Sequence, residues 1–190
     1  MPNLLTLWSQ HEANVLHWIQ VNLRNPITDP IVSFFTHLGD AGLLFIVLTL
    51  LLLLHPKTRR AGFAAACALV FSLLFTNLIL KNLFLRPRPW VSFEALVVPL
   101  VAEHDPNSFP SGHTSAAFAF AFSSLRALPK RWMKVSVVAL ATLMGLSRLY
   151  VGVHYPSDVL VGFVVGGLAA LAGWYLSQWL LTLKKDRPAS

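Results

Sequence analysis

Apolar residues run along the chain in long, nearly unbroken blocks, and most polar residues are gathered between them. A membrane-spanning helix needs about 20 mostly apolar residues. Five blocks read as such spans, roughly 31–54, 61–80, 113–128, 133–150 and 157–183. The third is the shortest and contains Ser123 and Ser124, whose hydroxyls can return hydrogen bonds to their own helix backbone and so do not forbid a crossing. Residues 4–24 follow another pattern. Trp8, Val15, Ile19 and Leu23 fall on one helical face, while Glu12, Asn14 and Asn22 interrupt any continuous apolar run, which predicts an amphipathic helix lying in the membrane interface. No basic stretch precedes its first leucines and no small-residue cleavage site follows, so a removable signal sequence is not expected. Pro26 and Pro30 break this helix before the first span. The expected fold is therefore all-α: one integral membrane bundle over residues 1–190, with five transmembrane helices within 31–183, the interfacial helix at 4–24 and a long external loop at 89–110.

Composition agrees, since 55% hydrophobic and 12% charged residues leave a soluble domain of 190 residues short of polar cover. The net charge of +7 would suggest nucleic acid if it lay on one face. Instead the basic residues are sorted by loop. Lys57, Arg59 and Arg60 follow the first span, Arg126, Lys130, Arg131 and Lys134 the third, and Lys184, Lys185 and Arg187 the fifth. The positive-inside rule makes those regions, with the C-terminus, cytoplasmic, and no nucleic-acid partner is expected. Lys81, His113, Arg148 and His154 then all fall at span ends on the opposite, extracytoplasmic face. At the bilayer centre each charge would cost ~2.5–3.5 kcal/mol on insertion scales, which argues for a wet mouth near the headgroups. The lone Cys67 has no partner for a disulfide or a thiolate metal site. The loop at 89–110 carries Trp90, Phe93 and the run Ala95 to Val101. It fits either a lid dipping into the headgroup layer or a plain surface loop with a little local packing. Gly162, Gly166, Gly167 and Gly173 can serve close packing within one bundle or between protomers, which leaves the oligomeric state open.

Three short segments bring charge to the ends of these helices: Lys81 to Pro89, Pro110 to His113 and Ser147 to Asp158. A phosphate ester needs cations and backbone N–H groups already in place when charge shifts in the transition state. Lys81, Arg88 and Arg148 are the natural cations; an arginine fork can hold two phosphate oxygens, and a lysine acts as a compact point charge. Ser111 stands where it would cap the next helix, with the first N–H groups of that helix turned toward any anion. Gly112 lets the backbone approach closely. His154 and Asp158 are four residues apart, so on a helical turn the carboxylate can hold one ring nitrogen and leave the other free to attack phosphorus. The other five histidines, His11, His17, His37, His55 and His104, are given no role.

These residues resemble, position by position, the three-part signature of the type 2 phosphatidic acid phosphatase superfamily, the lipid phosphate phosphatases that are similar in their core to vanadium haloperoxidases. Lysine, six residues and Arg-Pro stand at Lys81 to Pro89. Pro-Ser-Gly-His stands at Pro110 to His113, and Ser-Arg, five residues, His, three residues, Asp at Ser147 to Asp158. The resemblance implies a two-step transfer needing no metal or other cofactor. His154, oriented by Asp158, would form a phosphohistidine, and His113 would protonate the leaving oxygen and then activate water. Lys81, Arg88, Arg148, Ser111 and the Gly112 amide would hold the phosphoryl oxygens.

The expected partners are a lipid phosphate substrate and the surrounding membrane lipids. The small chain looks most like bacterial members of the superfamily, which makes undecaprenyl pyrophosphate at the outer face of a plasma membrane the first choice. Phosphatidylglycerophosphate or phosphatidic acid is the alternative. Two other classes are weighed: a carrier or scramblase that grips lipid phosphate without turnover, against which the intact His113, His154 and Asp158 speak, and a vanadate-dependent halide oxidase, which five spans disfavour.

Overall fold

The computed structural model describes residues 4–185, and Arg187 of the last basic cluster lies outside them. The described residues are helical: α1 (Leu4–Asn22), α2 (Thr28–His37), a 3-10 turn at Asp40–Gly42, α3 (Leu43–Leu54), α4 (Arg59–Ser72), α5 (Lys81–Phe84), α6 (Pro89–Ser92), α7 (Gly112–Leu125), α8 (Arg131–Tyr150) and α9 (Pro156–Lys185). A π-helical stretch, Leu73–Leu80, joins α4 to α5, so that Arg59–Phe84 forms one apolar rod of 26 residues.

Among the described residues three helices are long and apolar enough to cross a membrane: Arg59–Phe84, Arg131–Tyr150 and Pro156–Leu183. A fourth crossing is available if α2 and α3, bent by 52°, count as one. The expectation of five such spans is corrected at two places. The first block, 31–54, is broken at residues 38–42, where Ala41 and Gly42 adopt positive φ. The third, α7, has 14 residues, about 21 Å at 1.5 Å per residue. It is short because it sits between Pro110 and Pro129 and packs against α4, α8 and α9, so protein rather than lipid surrounds it. Ala117, Phe118, Ala119, Phe120 and Ala121, five consecutive residues, are all buried. Ser123 and Ser124 donate to the carbonyls of Ala119 (2.6 Å) and Ala121 (3.0 Å) in their own helix.

Small residues draw the long helices together. A Cβ on Gly162 would lie 2.7 Å from the Ser111 carbonyl oxygen, one on Gly166 2.6 Å from that of Ser115, and Gly173 meets Ala68 on α4. These glycines are spent on packing within the chain. Outside the bundle, leucines such as Leu50, Leu54, Leu78, Leu143, Leu160 and Leu168 are exposed, an apolar belt that suits hydrocarbon.

α1 turns Trp8, Val15 and Trp18 outward, and Leu23 just beyond it is exposed as well. Its other face buries Ala13 and Leu16 in a cluster with Val97 and Tyr155. His17 Nδ1 lies 3.0 Å from the Leu96 carbonyl oxygen, and Arg24 donates to the carbonyls of Val98 (2.6 Å) and Tyr150 (2.9 Å). The connection at 89–110 is held to the bundle by packing and hydrogen bonds. Val97 and Val101 are buried, and the Leu100 N–H donates to the Val151 carbonyl at 2.9 Å.

Candidate active site

The three charged segments meet at one end of the bundle. Lys81 opens the last turn of the rod that begins at Arg59. Beyond it Leu85 takes a left-handed conformation (φ 45°), and the proline-flanked Arg86 and Arg88 are pinned to the segment before α7 by the Ser108 N–H donating to the Arg86 carbonyl at 2.8 Å. Ser111 caps α7, its Oγ accepting from the Thr114 N–H at 3.4 Å. Arg148 lies in the last turn of α8, and Asp158 in the first turn of α9.

Lys81, Arg88, Gly112, His113 and His154 line a single cavity of about 740 Å³, which continues between α3 and α4 past Ile46, Leu50, Leu53, Leu69, Val70 and Leu73. Ser111, Arg148 and Asp158 are fully buried and are not among its lining residues. Ser111 Oγ is also occupied by the Thr114 hydroxyl at 2.9 Å, so here it serves its helix.

His154 is buried. Its Nε2 lies 3.3 Å from an Arg88 nitrogen. Arginine only donates, so Nε2 accepts and the ring proton belongs on Nδ1. Nδ1 stands 3.5 Å from Asp158 Oδ2 without a hydrogen-bond alignment. Burial, then the nearby Arg88 and Arg148, hold the imidazole well below its ordinary pKa of 6.5. The ring is thus neutral near pH 7, the form a nucleophile requires. Burial also brings Arg88 down to about 10, which leaves it a cation.

The cations are already answered by carboxylates that sequence reasoning did not place in the site. Glu103 bridges two of them, Oε2 lying 3.3 Å from Arg88 while Oε1 pairs with Arg148. Asp105 pairs with Lys81, and its carbonyl accepts from Arg88 Nε at 2.7 Å. Asp40 was missed as well. Its carboxylate lies 3.0 Å from His113 Nε2 and 2.9 Å from His37 Nδ1, so it fixes the orientation of His113. Gly39 allows that arrangement, since a Cβ there would stand 2.7 Å from His113 Cδ2. The signal was an aspartate between glycines inside a supposed apolar span. Among the described residues no set of three or more His, Cys, Asp or Glu side chains is arranged to hold a metal ion.

A helical membrane bundle with cations and imidazoles at the head of an apolar groove defines a class of proteins that handle anionic lipids. The sequence profile of the PAP2 superfamily matches residues 61–181, and the chain belongs to that superfamily. It is 32% identical to an undecaprenyl-diphosphatase of Sulfolobus acidocaldarius over 72% of this chain and 59% of that protein. It is also 32% identical to an undecaprenyl-diphosphatase of Bacillus subtilis, over 75% and 71%. The chain therefore spans somewhat over half the length of the first of these relatives. Among solved structures, LpxE of Aquifex aeolicus superposes with a TM-score of 0.73 at 29% identity, covering 85% of this chain and 93% of that one. A transmembrane PAP2-type phosphatidylglycerolphosphate phosphatase from Bacillus subtilis gives 0.69 at 26%, covering 97% and 90%.

Proposed function

We propose that this protein removes the terminal phosphate from a lipid diphosphate, undecaprenyl pyrophosphate before others, at the extracytoplasmic face of a bacterial plasma membrane. The observation that carries this reading is the continuity of the cavity: one end is lined by Lys81, Arg88, His113 and His154, and the other by aliphatic side chains of α3 and α4. A phosphoryl head at the polar end leaves its apolar tail among those side chains. Two relatives at 32% identity bear the name of that reaction. In this reading α7 completes the fifth crossing inside the protein, α1 lies in the interface, and the C-terminus is cytoplasmic.

In the first step His154 Nε2 forms a bond to the terminal phosphorus while the bond to the leaving oxygen breaks, and His113 gives that oxygen a proton. In the second, His113 takes a proton from water, whose oxygen attacks the phosphohistidine and frees His154 and inorganic phosphate. Asp158 steadies the imidazole. Lys81, Arg88 and the Gly112 amide hold the phosphoryl oxygens, joined by Arg148 once Glu103 releases it and by Ser111 when its hydroxyl turns from Thr114. Substrate must first displace the contacts that stand in for it: Arg88 moves from Nε2 onto an oxygen, and Glu103 and Asp105 release the cations.

Purified enzyme offered a panel of lipid phosphates should release phosphate from undecaprenyl pyrophosphate with the highest kcat/KM, and EDTA should leave that rate unchanged. A strict magnesium requirement would contradict the arrangement of fixed cations. A second reading, phosphatidylglycerophosphate phosphatase, is favoured by the likeness to the Bacillus subtilis structure over 97% of this chain. Together with phosphatidic acid it belongs on the same panel, where a preference for either would replace the first choice. For His113→Ala we expect a kcat loss of about 10²–10⁴-fold on lipid substrates. The loss should shrink as the leaving group improves, and an equal loss for every leaving group would remove His113 from the acid role.

A further inference from the structure

Glu12 plays no part in the chemistry just described, yet its side chain is only 6% exposed and lies against the machinery. One oxygen, Oε1, accepts the Ser157 N–H at 2.6 Å in the first turn of α9. The other, Oε2, pairs with Arg86 at 2.6 Å. Arg86 extends its second terminal nitrogen to Asp158 Oδ1 and Ser157 Oγ, each at 2.7 Å. Its guanidinium carbon sits 3.9 Å above the centre of the Tyr155 ring. The fork is thereby divided between two carboxylates. Because Glu12 occupies one arm, Arg86 reaches only Oδ1 of Asp158, and Oδ2 is left to the Tyr155 N–H (2.9 Å) and to the His154 ring (3.5 Å).

A guanidinium facing a single carboxylate engages both oxygens at once. Without the Glu12 charge, Arg86 is free to turn both arms onto Asp158 and cover the oxygen that faces His154. We propose that Glu12, from the N-terminal helix, is a positioning residue for the phosphatase reaction. Acting through Arg86, it keeps one oxygen of Asp158 available to His154, and through Ser157 it fixes the turn of α9 that carries Asp158. Docking of α1 onto the bundle is then part of assembling the site. The buried contacts of Ala13 and Leu16 with Val97 and Tyr155 hold the helix in that register.

This inference rests on His154 being the nucleophile. Full turnover by His154→Ala would remove that reading without involving Glu12, so the two failures are distinguishable. The test is Glu12→Gln, assayed beside wild-type enzyme on the best lipid substrate. Its amide oxygen can still accept from Ser157, but its NH₂ group cannot accept from Arg86. Glu12 does not line the cavity, so kcat per folded molecule should fall about tenfold, the equivalent of one hydrogen bond to a charged group, with KM within about twofold. Asn14→Ala, on the exposed side of the same helix, should behave as wild type. Glu12→Asp keeps the charge but shortens the reach, and should lose kcat by a smaller factor with KM again unchanged. Folded Glu12→Gln with wild-type kcat overturns the proposal, as does a rise in KM at unchanged kcat. Should Glu12→Gln fail to accumulate, Glu12→Asp decides: a lowered kcat at constant KM supports the role, and wild-type kcat ends it.

Discussion

His154→Ala is expected to abolish turnover, with kcat reduced by about 10⁴-fold or more, as when the nucleophile of other covalent enzymes is removed, while the protein still inserts and folds. A lipid substrate labelled in its terminal phosphate, quenched in alkali during turnover, should leave label on the wild-type enzyme and none on the variant. Full activity in His154→Ala would end the phosphohistidine mechanism. The imidazole also leaves a trace in stability. Its pKa in the folded protein lies well below 6.5 because of burial and the neighbouring guanidinium groups. Between that depressed value and 6.5 the unfolded chain binds a proton that the folded one does not, so stability is full above about pH 6.5 and falls as the medium is acidified. Thermal unfolding in micelles from pH 7 to pH 5 should therefore show a steeper decline for wild type than for His154→Ala. Parallel curves would mean that the buried ring is not held neutral.

Much of this was legible in the sequence, and the rest was hidden for identifiable reasons. Spacing and crossing parity put Lys81, His113, Arg148 and His154 on one face, and the structure brings Lys81, His113 and His154 to one cavity while Arg148 is buried outside its lining. Hydropathy reports how apolar a block is but not what surrounds it. It therefore could not tell that α7 is sheathed by protein and needs no bilayer length, or that the first block bends at residues 38–42 and so brings Asp40 to His113. Nothing in the sequence set Glu103 and Asp105 apart, because a loop's sequence does not say which way its side chains turn. Glu12 was read as an interruption of an apolar stripe. The stripe faces outward, and the interruption is the contact that reaches the site.

Arg148→Met should separate function from stability more sharply than any other single change. Arg148 is fully buried with its Nε unpartnered, and it converges with Lys81 and Arg88 on a place meant for an anion. Like charges brought together out of water are costly, so removing Arg148 relieves its repulsion with Lys81 and Arg88, while breaking a buried ion pair costs stability where the partner's charge is left without a cation. Glu103 Oε1 loses its partner in the variant, but the carboxylate is not left without a cation. Glu103 keeps Arg88 at 3.3 Å, and the Thr36 hydroxyl keeps Ser147 at 3.1 Å. The unfolding temperature should thus stay level or rise, whereas kcat should fall about 10²–10³-fold, the loss of one preorganised donor to developing charge, or about 2.7–4 kcal/mol. Inorganic phosphate supplies the independent measure. A ligand that binds only the folded state raises its stability by mass action, so phosphate should raise the unfolding temperature of wild type and leave that of Arg148→Met nearly unmoved. If the variant instead unfolds at a much lower temperature and keeps its response to phosphate, Arg148 is a structural tie between α8 and the loop bearing Glu103, and the anion is held by Lys81 and Arg88 without it.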